Sequence, residues 1–157
     1  YDSLVIFNQY KKYTGALQKT LLHINGSSFK KDFRAYFAER NKFKKVLKEA
    51  DYRYFSFQIW QEGIARYTEY KFLQALDSYT PSKEMIGLSD FISFPAYKEE
   101  FWLKEKSSLI NLKLEVDKRV CFYAIGFSEG LLLDKLNPDW RNKFLTDKFF
   151  IEKYFKK

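Results

Sequence analysis

Histidine and cysteine are almost absent from this chain, which has one of each among its 157 residues. The single cysteine, Cys121, excludes a disulfide within the chain, and its place in an apolar run predicts a small buried side chain. A serine or cysteine nucleophile normally needs a histidine base, and no such constellation can be recognised around His23. We therefore expect neither an internal disulfide nor serine- or cysteine-based hydrolysis.

Glycine, proline and long apolar runs are also scarce. The 6 Gly and 3 Pro leave few places for turns and favour long helices. The longest apolar stretch, 120–133, contains Ser128 and Glu129 and is shorter than the ~20 residues that span a bilayer, so no membrane helix is expected. No signal peptide is visible, and no G-x-x-x-x-G-K-[ST] or G-x-G-x-x-G loop indicates nucleotide binding. We expect a soluble protein.

Aromatic side chains are abundant instead, with 17 Phe, 12 Tyr and 3 Trp. At 46% hydrophobic and 31% charged residues, the composition is that of one folded domain, 1–157, whose core is filled by large rings. The net charge of +8 would suit an acidic partner such as nucleic acid. Because the lysines are spread without a long run, solubilising charge is the favoured interpretation, and nucleic-acid binding is a distant third hypothesis for the function.

Apolar residues recur at helical spacing along most of the chain, and no segment has the alternation of a strand. The pattern predicts an all-α helical bundle of about five long helices and a short C-terminal helix. Asp2 or Ser3 would cap the first helix, and the Asn137-Pro138 step would start the last one. The sequence does not decide whether 114–117 forms a kink, a loop or continuous helix. The predicted long helices are about 3–23, 28–49, 51–78, 96–112 and 118–136, with a loop and one short helical turn in 83–95.

The third predicted helix carries two glutamates on one apolar face. At 100° per residue, Glu62 and Glu69 lie within ~20° of each other, two turns apart. Their face also holds Phe55, Ala65 and Leu73, and the opposite side is apolar as well. A helix with two apolar sides is normally enclosed by others, so we expect it at the centre of the bundle, in contact with the first and fifth helices.

Two interpretations of these carboxylates stay open. In the first, they form structural ion pairs, Glu62 with Arg66 and Glu69 with a lysine of a neighbouring helix. In the second, they belong to a site. Gly63 supports the second interpretation, because glycine inside a helix costs ~1 kcal/mol relative to alanine. Its presence indicates that something approaches the backbone closely beside Glu62.

The segment around these glutamates resembles a known metal-ligand helix. From Trp60 to Glu69 it runs W-x-E-G-x-A-x-Y-x-E, which is the pattern of gluzincin-type zinc metallopeptidases. The resemblance implies that Glu62 is the third zinc ligand and that Glu69 is the later acidic residue that supports the site. A second segment, with F-Y-A-x-G, L-L-L-D and N-P-D-W between 122 and 140, resembles the C-terminal helices of bacterial proteins of this type. Together the resemblance covers roughly 55–150.

One half of that site is missing from this sequence. In the family, an upstream H-E-x-x-H helix supplies two histidine ligands and the general base, and this chain contains no such motif. Because a catalytic zinc site needs about three protein ligands, we expect zinc only if that segment is supplied, and no cofactor otherwise. The chain would be the helical, glutamate-bearing portion of a zinc metallopeptidase-like protein, inactive alone, acting on a peptide or protein. The alternative is a non-catalytic helical scaffold or protein-interaction domain.

Three further residues are candidates for such a site. His23 ends the first helix, where its favoured role is to complement the helix C-terminus. Tyr123 shares a face with Gly126 and Gly130; close helix packing is the favoured interpretation, and an oxyanion donor or a partner of Glu62 is the functional one. Glu129, among apolar neighbours, is a third acid expected to be buried. The most informative arrangement that a structure could show is one cluster of the acids and the phenol: Glu62, Glu69, Glu129 and Tyr123.

Overall fold

The computed structural model describes residues 3–146 and 148–155, and the regular structure of this part of the chain is entirely helical, without a β-strand. The predicted all-α bundle is confirmed. No described helix is long and apolar enough to cross a membrane. The α-helices are α1 (Leu4–Leu22), α2 (Phe29–Val46), α3 (Glu49–Gln58), α4 (Ile64–Ala75), α5 (Lys83–Ile86), α6 (Phe94–Asn111), α7 (Leu114–Asp117), α8 (Cys121–Leu136) and α9 (Trp140–Lys143). A π-helical segment (Ile59–Gly63) joins α3 to α4, and 3-10 turns occupy Leu76–Ser78, Lys118–Val120 and Ile151–Phe155.

Capping residues set the ends of the first helices close to the predicted positions. Ser3 caps α1, because its Oγ accepts a hydrogen bond from the Ile6 N–H at 3.2 Å. α2 ends at Val46, before the predicted end near 49, since Leu47 and Lys48 adopt extended conformations. Lys48 is also the N-cap position of α3, so the chain passes from one helix to the next through two residues.

The third predicted helix is one continuous helical rod whose middle turn is π-helical. α3, the π segment and α4 follow one another without a break, and the rod ends in the 3-10 turn. A π turn closes its hydrogen bonds one residue later than an α turn, so the faces of the helix rotate across Ile59–Gly63. The single face obtained from a constant 100° per residue is therefore interrupted at this segment, although Leu73 further along the predicted face is buried. Ala65 is exposed, and Glu62 and Glu69 are half-buried and not enclosed.

The segment 114–117, which the sequence left open, forms the separate helical turn α7. Leu112 and Lys113 are extended before it, and Lys118 has a φ of 49° after it, a conformation that few non-glycine residues adopt. Leu114 is fully buried and anchors the turn to the core. The fourth and fifth predicted helices are thus separated by a sharp change of direction.

Proline does not begin the C-terminal helix, contrary to the prediction. Pro138 lies in the turn after α8, and α9 starts at Trp140, whose N–H donates to the Asn137 carbonyl at 3.0 Å. The chain then reaches the last 3-10 turn, where the Phe155 ring packs edge-on against Tyr36 of α2. The C-terminal end of the described chain is therefore fastened to the N-terminal half of the bundle.

The most buried helix is α8, which occupies the centre of the bundle. It packs against α1, α4, α6 and the π segment, and its residues from Cys121 to Gly130 are buried except Tyr123. The predicted contact between the third and fifth helices is confirmed. The third helix also meets the first, since Phe55 of α3 lies edge-on to Tyr13 of α1. The central position belongs to α8, however, and not to the third helix as the sequence suggested.

Glycines allow α8 to cross the π segment with the two backbones in contact. A Cβ atom on Gly63 would lie 2.6 Å from the Gly126 Cα and 2.7 Å from the Phe122 carbonyl oxygen, and a Cβ on Gly126 would collide with Gly63. One turn on, a Cβ on Gly130 would lie 2.6 Å from the ring of Tyr67. The prediction that Gly63 marks a close approach to the backbone is confirmed, and what approaches it is another helix.

We expect Gly126→Ala to lower the free energy of unfolding by about 1–3 kcal/mol, the usual cost of overpacking a core. The added methyl group meets the backbone of the π segment, which cannot move aside as a flexible side chain can. Gly15→Ala is the matched control, because a Cβ added there inside α1 would have no atom within 4 Å apart from the adjoining backbone of its own helix. It should stabilise the protein by about 0.5–1 kcal/mol through helix propensity. Urea unfolding measures both changes, and effects of the same sign would contradict the glycine crossing.

Candidate functional site

Glu62 lies inside the π segment, directly before the glycine crossing. Its side chain is half-buried and forms no hydrogen bond or ion pair with any other residue in 3–146 or 148–155. The predicted pair with Arg66 is not formed, because the π turn alters the spacing of the side chains and Arg66 binds Glu105 of α6 instead. π-helical turns of this kind occur frequently at functional sites.

Arg66 is held between two other carboxylates. Its Nε and Nη2 donate to Glu105 Oε1 at 3.0 and 2.6 Å, and its Nη1 donates to Glu69 Oε2 at 2.5 Å. The guanidinium also lies over the Phe101 ring, 4.3 Å from the centroid. Burial lowers the pKa of Arg66, but the hydrogen bonds and charge of Glu105 outweigh this effect and raise it. Glu69 therefore pairs with an arginine of its own helix, and not with a neighbouring lysine as the sequence suggested.

Tyr123 faces a cavity beside this ion pair. The cavity has a volume of about 300 Å³, and its wall includes Arg66, Glu105, Lys104 and Ser108. The Tyr123 side chain is half-buried, and its hydroxyl has no hydrogen bond within the described part of the chain. A phenol beside a guanidinium can donate hydrogen bonds to a carbonyl or carboxylate oxygen that enters the cavity.

Glu129 is fully buried, as predicted, but it joins a different set of residues. Its Oε1 accepts hydrogen bonds from the hydroxyls of Tyr13 and Tyr36, each at 2.6 Å, and from Arg40 Nε at 2.8 Å. These donors belong to α1 and α2. Six residues turn an α-helix by ~240°, so Glu129 and Tyr123 point to different sides of α8. The three acids and the phenol therefore do not form one cluster.

A second carboxylate completes the surroundings of Arg40. Its Nη1 donates to the Tyr52 hydroxyl at 2.8 Å and its Nη2 lies 3.3 Å from Glu152 Oε2, while the Tyr52 hydroxyl donates to Glu152. Arg40 is 1% exposed and Glu129 0%, so one enclosed guanidinium balances two carboxylates. Burial lowers the pKa of Arg40, and the charges of Glu129 and Glu152 raise it well above its usual range.

The tyrosines of this network remain hydrogen-bond donors at neutral pH. Burial, and then the charge of Glu129, holds the pKa of Tyr13 and of Tyr36 well above the usual range. Burial likewise raises the pKa of Tyr52 to about 12. Because all three phenols stay protonated, they donate to the two carboxylates that share the single arginine.

Arg40 was not predicted as a buried charge, although the sequence carries a signal for it. Arg40 follows Tyr36 by four residues and precedes Phe43 by three, so it lies on the apolar stripe of α2. A charge on such a stripe indicates a buried partner. Its partners Glu129 and Glu152 are 89 and 112 positions away, and helical periodicity carries no information at that distance.

His23 is the C-cap residue of α1, as predicted, and its side chain fastens α1 to α2. Its Nδ1 lies 2.7 Å from Asp32 Oδ2, Ser28 Oγ donates to the same oxygen at 2.7 Å, and Lys19 Nζ lies 3.3 Å from Oδ1. The serine donates to the carboxylate and not to the imidazole, so the histidine does not activate it as a nucleophile. Hydrogen bonds from Ser28 and His23 lower the pKa of Asp32 to about 2.

Within 3–146 and 148–155, no group of three or more His, Cys, Asp or Glu side chains could hold a metal ion. No family model, curated protein or solved structure matches the chain. The similarity to the gluzincin pattern therefore rests on the residues of the sequence, and the contacts described above are what the structure adds to it.

Replacing Arg40 by methionine should cost about 3–5 kcal/mol of unfolding free energy, because it leaves a buried carboxylate without its cation. Adding Glu129→Gln should recover part of this loss, since the uncompensated charge is then removed. Lys42→Met is the control: it breaks an exposed pair with Glu39 and should cost no more than about 1 kcal/mol. Urea unfolding compares the three variants. Similar losses for Arg40→Met and Lys42→Met would show that the buried network is no stronger than a surface pair.

The Asp32 contacts predict a dependence of stability on acid. Since the pKa of Asp32 is about 2 in the folded protein and 3.8 ordinarily, its charge stabilises the fold fully above 3.8. This contribution is lost as the pH falls through about 2. The difference in unfolding free energy between the wild type and Asp32→Asn should therefore narrow over that range, as measured by urea unfolding at a series of pH values. A difference that stays constant would rule out the lowered pKa.

Proposed function

We propose that this chain is the helical, glutamate-bearing portion of a zinc metallopeptidase-like protein, inactive alone. The observation that carries the proposal is Glu62, a half-buried carboxylate in a π-helical turn without a hydrogen bond or ion pair in the described ranges. By contrast, Glu69, Glu105 and Glu129 all have cationic partners. A carboxylate that its neighbours leave unpaired keeps its oxygen lone pairs for a ligand from outside the chain.

The residues of the pattern around Glu62 support the proposal through their contacts. Trp60 Nε1 donates to the Phe144 carbonyl at 3.1 Å, and the two rings stack. The Tyr67 hydroxyl donates to Asp134 Oδ1 at 2.7 Å. Together with the glycine crossing, these contacts fasten the helix on both sides of Glu62, so its backbone is held in place although its carboxylate forms no bond of its own.

Glu62 alone does not make a zinc site. A catalytic zinc ion takes about three protein ligands and keeps one position for water, and the described residues offer no such group. The other ligands and the general base would have to come from an H-E-x-x-H segment outside this chain. When bound, zinc would polarise a peptide carbonyl and lower the pKa of a bound water, and the substrate would be a peptide or a protein.

Tyr123 and Glu69 have supporting roles in this proposal. Tyr123 would donate a hydrogen bond to substrate from the wall of its cavity. Glu69 would act through Arg66, which ties α4 to Glu105 of α6 and so fixes the helix that carries Glu62. Neither residue would bind the metal.

The second candidate function is a non-catalytic helical scaffold or protein-interaction domain. It is favoured by the buried glutamates Glu105 and Glu129, which form structural ion pairs with Arg66 and Arg40. On this interpretation Glu62 is simply a hydrated carboxylate on the helix surface. The two candidates differ in what must lie outside the chain: the enzyme needs an H-E-x-x-H segment and the scaffold does not.

The coding sequence before Tyr1 is therefore the first test, since only the enzyme requires H-E-x-x-H there. A protein that includes that segment should retain about one zinc ion per chain through dialysis against a mild chelator, measured by plasma mass spectrometry. Glu62→Ala should abolish this retention. Glu100→Ala, at an exposed position of α6 outside the wall of the Tyr123 cavity, should not.

Chain 1–157 by itself should lose zinc in the same dialysis and should hydrolyse no peptide bond. Two results would contradict the proposal. One is zinc retention by the longer protein that does not depend on Glu62. The other is stoichiometric zinc in chain 1–157 that disappears in Glu62→Ala, because a complete site would then exist without the histidine segment.

A further inference from the structure

A groove with basic walls lies where the end of α2, the start of α3 and the C-terminal 3-10 turn meet. It consists of three cavities of about 560, 390 and 360 Å³, all of which share Lys44 as a wall residue. These volumes are in the range of ligand-binding sites. Lys45, Arg53 and Lys153 are the other cations of the walls, and we call this surface the basic groove.

The cations of the basic groove are not neutralised by the fold. Lys44, Lys45, Arg53 and Lys153 are exposed, and within the described residues none of them forms an ion pair. Lysines elsewhere in the bundle do form such pairs. The exposed acid in the walls is Glu49. The concave surface therefore keeps an excess of positive charge, which attracts anions.

One carboxylate of the chain, that of Glu152, lies among the walls of the basic groove. Glu152, from the C-terminal 3-10 turn, accepts a hydrogen bond from Tyr52 and lies 3.3 Å from Arg40 Nη2. Its side chain is 14% exposed, so this carboxylate lies below the rim and leaves the outer cations unpaired. Glu152 therefore pairs with the buried Arg40 and with Tyr52 beneath the groove, and it neutralises none of the cations of the rim.

The aromatic rings of the basic groove are already covered. Tyr52 stacks on Phe150 with the ring centroids 6.1 Å apart, and Lys44 lies over the Tyr52 ring, 4.5 Å from its centroid. Lys153 lies 5.4 Å from the centroid of Phe150. Single-stranded nucleic acids need open aromatic faces on which bases stack, and a flat bilayer cannot follow a concave surface. Carboxylates on a flexible chain fit better than either.

We propose that the basic groove binds an acidic peptide segment, rich in Asp and Glu, of a partner protein. Carboxylates of that segment would pair with Lys44, Lys45, Arg53 and Lys153 along the rim, above the carboxylate of Glu152. Charge pairs of this kind accelerate association and are weakened by salt. The groove contains neither Glu62 nor the cavity of Tyr123, so this proposal does not depend on the proposed function.

Fluorescence anisotropy of a fluorescein-labelled, Glu-rich peptide with chain 1–157 tests the proposal. The same peptide with Gln in place of Glu is the control for the probe. The groove variant combines Lys45→Glu with Arg53→Glu. The matched variant combines Lys30→Glu with Lys31→Glu, which are exposed near the other end of α2 and change the net charge by the same amount.

At low salt, we expect the groove variant to bind the Glu-rich peptide about tenfold more weakly than the wild type, and the matched variant no more than about twofold more weakly. Equal losses in the two variants would show attraction to net charge and would overturn the proposal. Equal binding of the Gln peptide would overturn it as well. So would tighter, groove-dependent binding of oligo(dT) or of phosphatidylserine vesicles, which would assign the groove to another partner.

Thermal melts establish that both variants are folded before binding is compared. If the groove variant is unfolded, Lys45→Gln with Arg53→Gln takes its place, because it removes the two cations without adding acids. This double variant should also bind the Glu-rich peptide more weakly than the wild type does. Unchanged binding of the peptide would overturn the proposal.

Discussion

The contact between the backbones at Gly63 and Gly126 is the constraint on which most of this structure depends. A helix with side chains at these positions could not bring α8 against the π segment, because an added Cβ would lie 2.6 Å from the opposing backbone. The contact places α8 at the centre, and it sets Tyr67 against Gly130 one turn further on. Each glycine lowers the intrinsic stability of its helix, and the close packing of α8 against the π segment compensates for this loss.

The buried charges add a second constraint. They allow only one arrangement of the helices around them, whereas the aromatic core does not select one. Large rings can pack in several ways, but Arg40 satisfies its donors only when Glu129, Tyr52 and Glu152 surround it. These partners come from α8, α3 and the C-terminal 3-10 turn, so one guanidinium from α2 joins four parts of the chain. An enclosed ion pair contributes little net stability relative to an apolar replacement. Its effect here is that alternative packings would leave a charge unpaired.

Sequence periodicity predicted the helices and the all-α class well, because each helix depends on residues a few positions apart. The cost of a glycine inside a helix predicted correctly that Gly63 marks a close approach. Periodicity failed at the π segment, since one additional residue in a turn rotates the faces of the helix after it and leaves no mark in the spacing of apolar residues. Arg40 was missed for another reason. The position on the stripe was visible, but the identity of the partners depends on the tertiary fold.

The way in which Glu62 is held bears directly on both candidate functions. A carboxylate positioned by its own ion pair must give up that pair before it can bind a metal, and the exchange cancels much of the gain. Glu62 has no such pair in the described chain, and its place is determined by the glycine crossing that follows it. Its backbone is therefore preorganised, while its carboxylate oxygens have no partner among the described residues. A scaffold would gain nothing from this arrangement, whereas a metal ligand would bind without first breaking a contact, and for this reason we favour the metallopeptidase-like proposal.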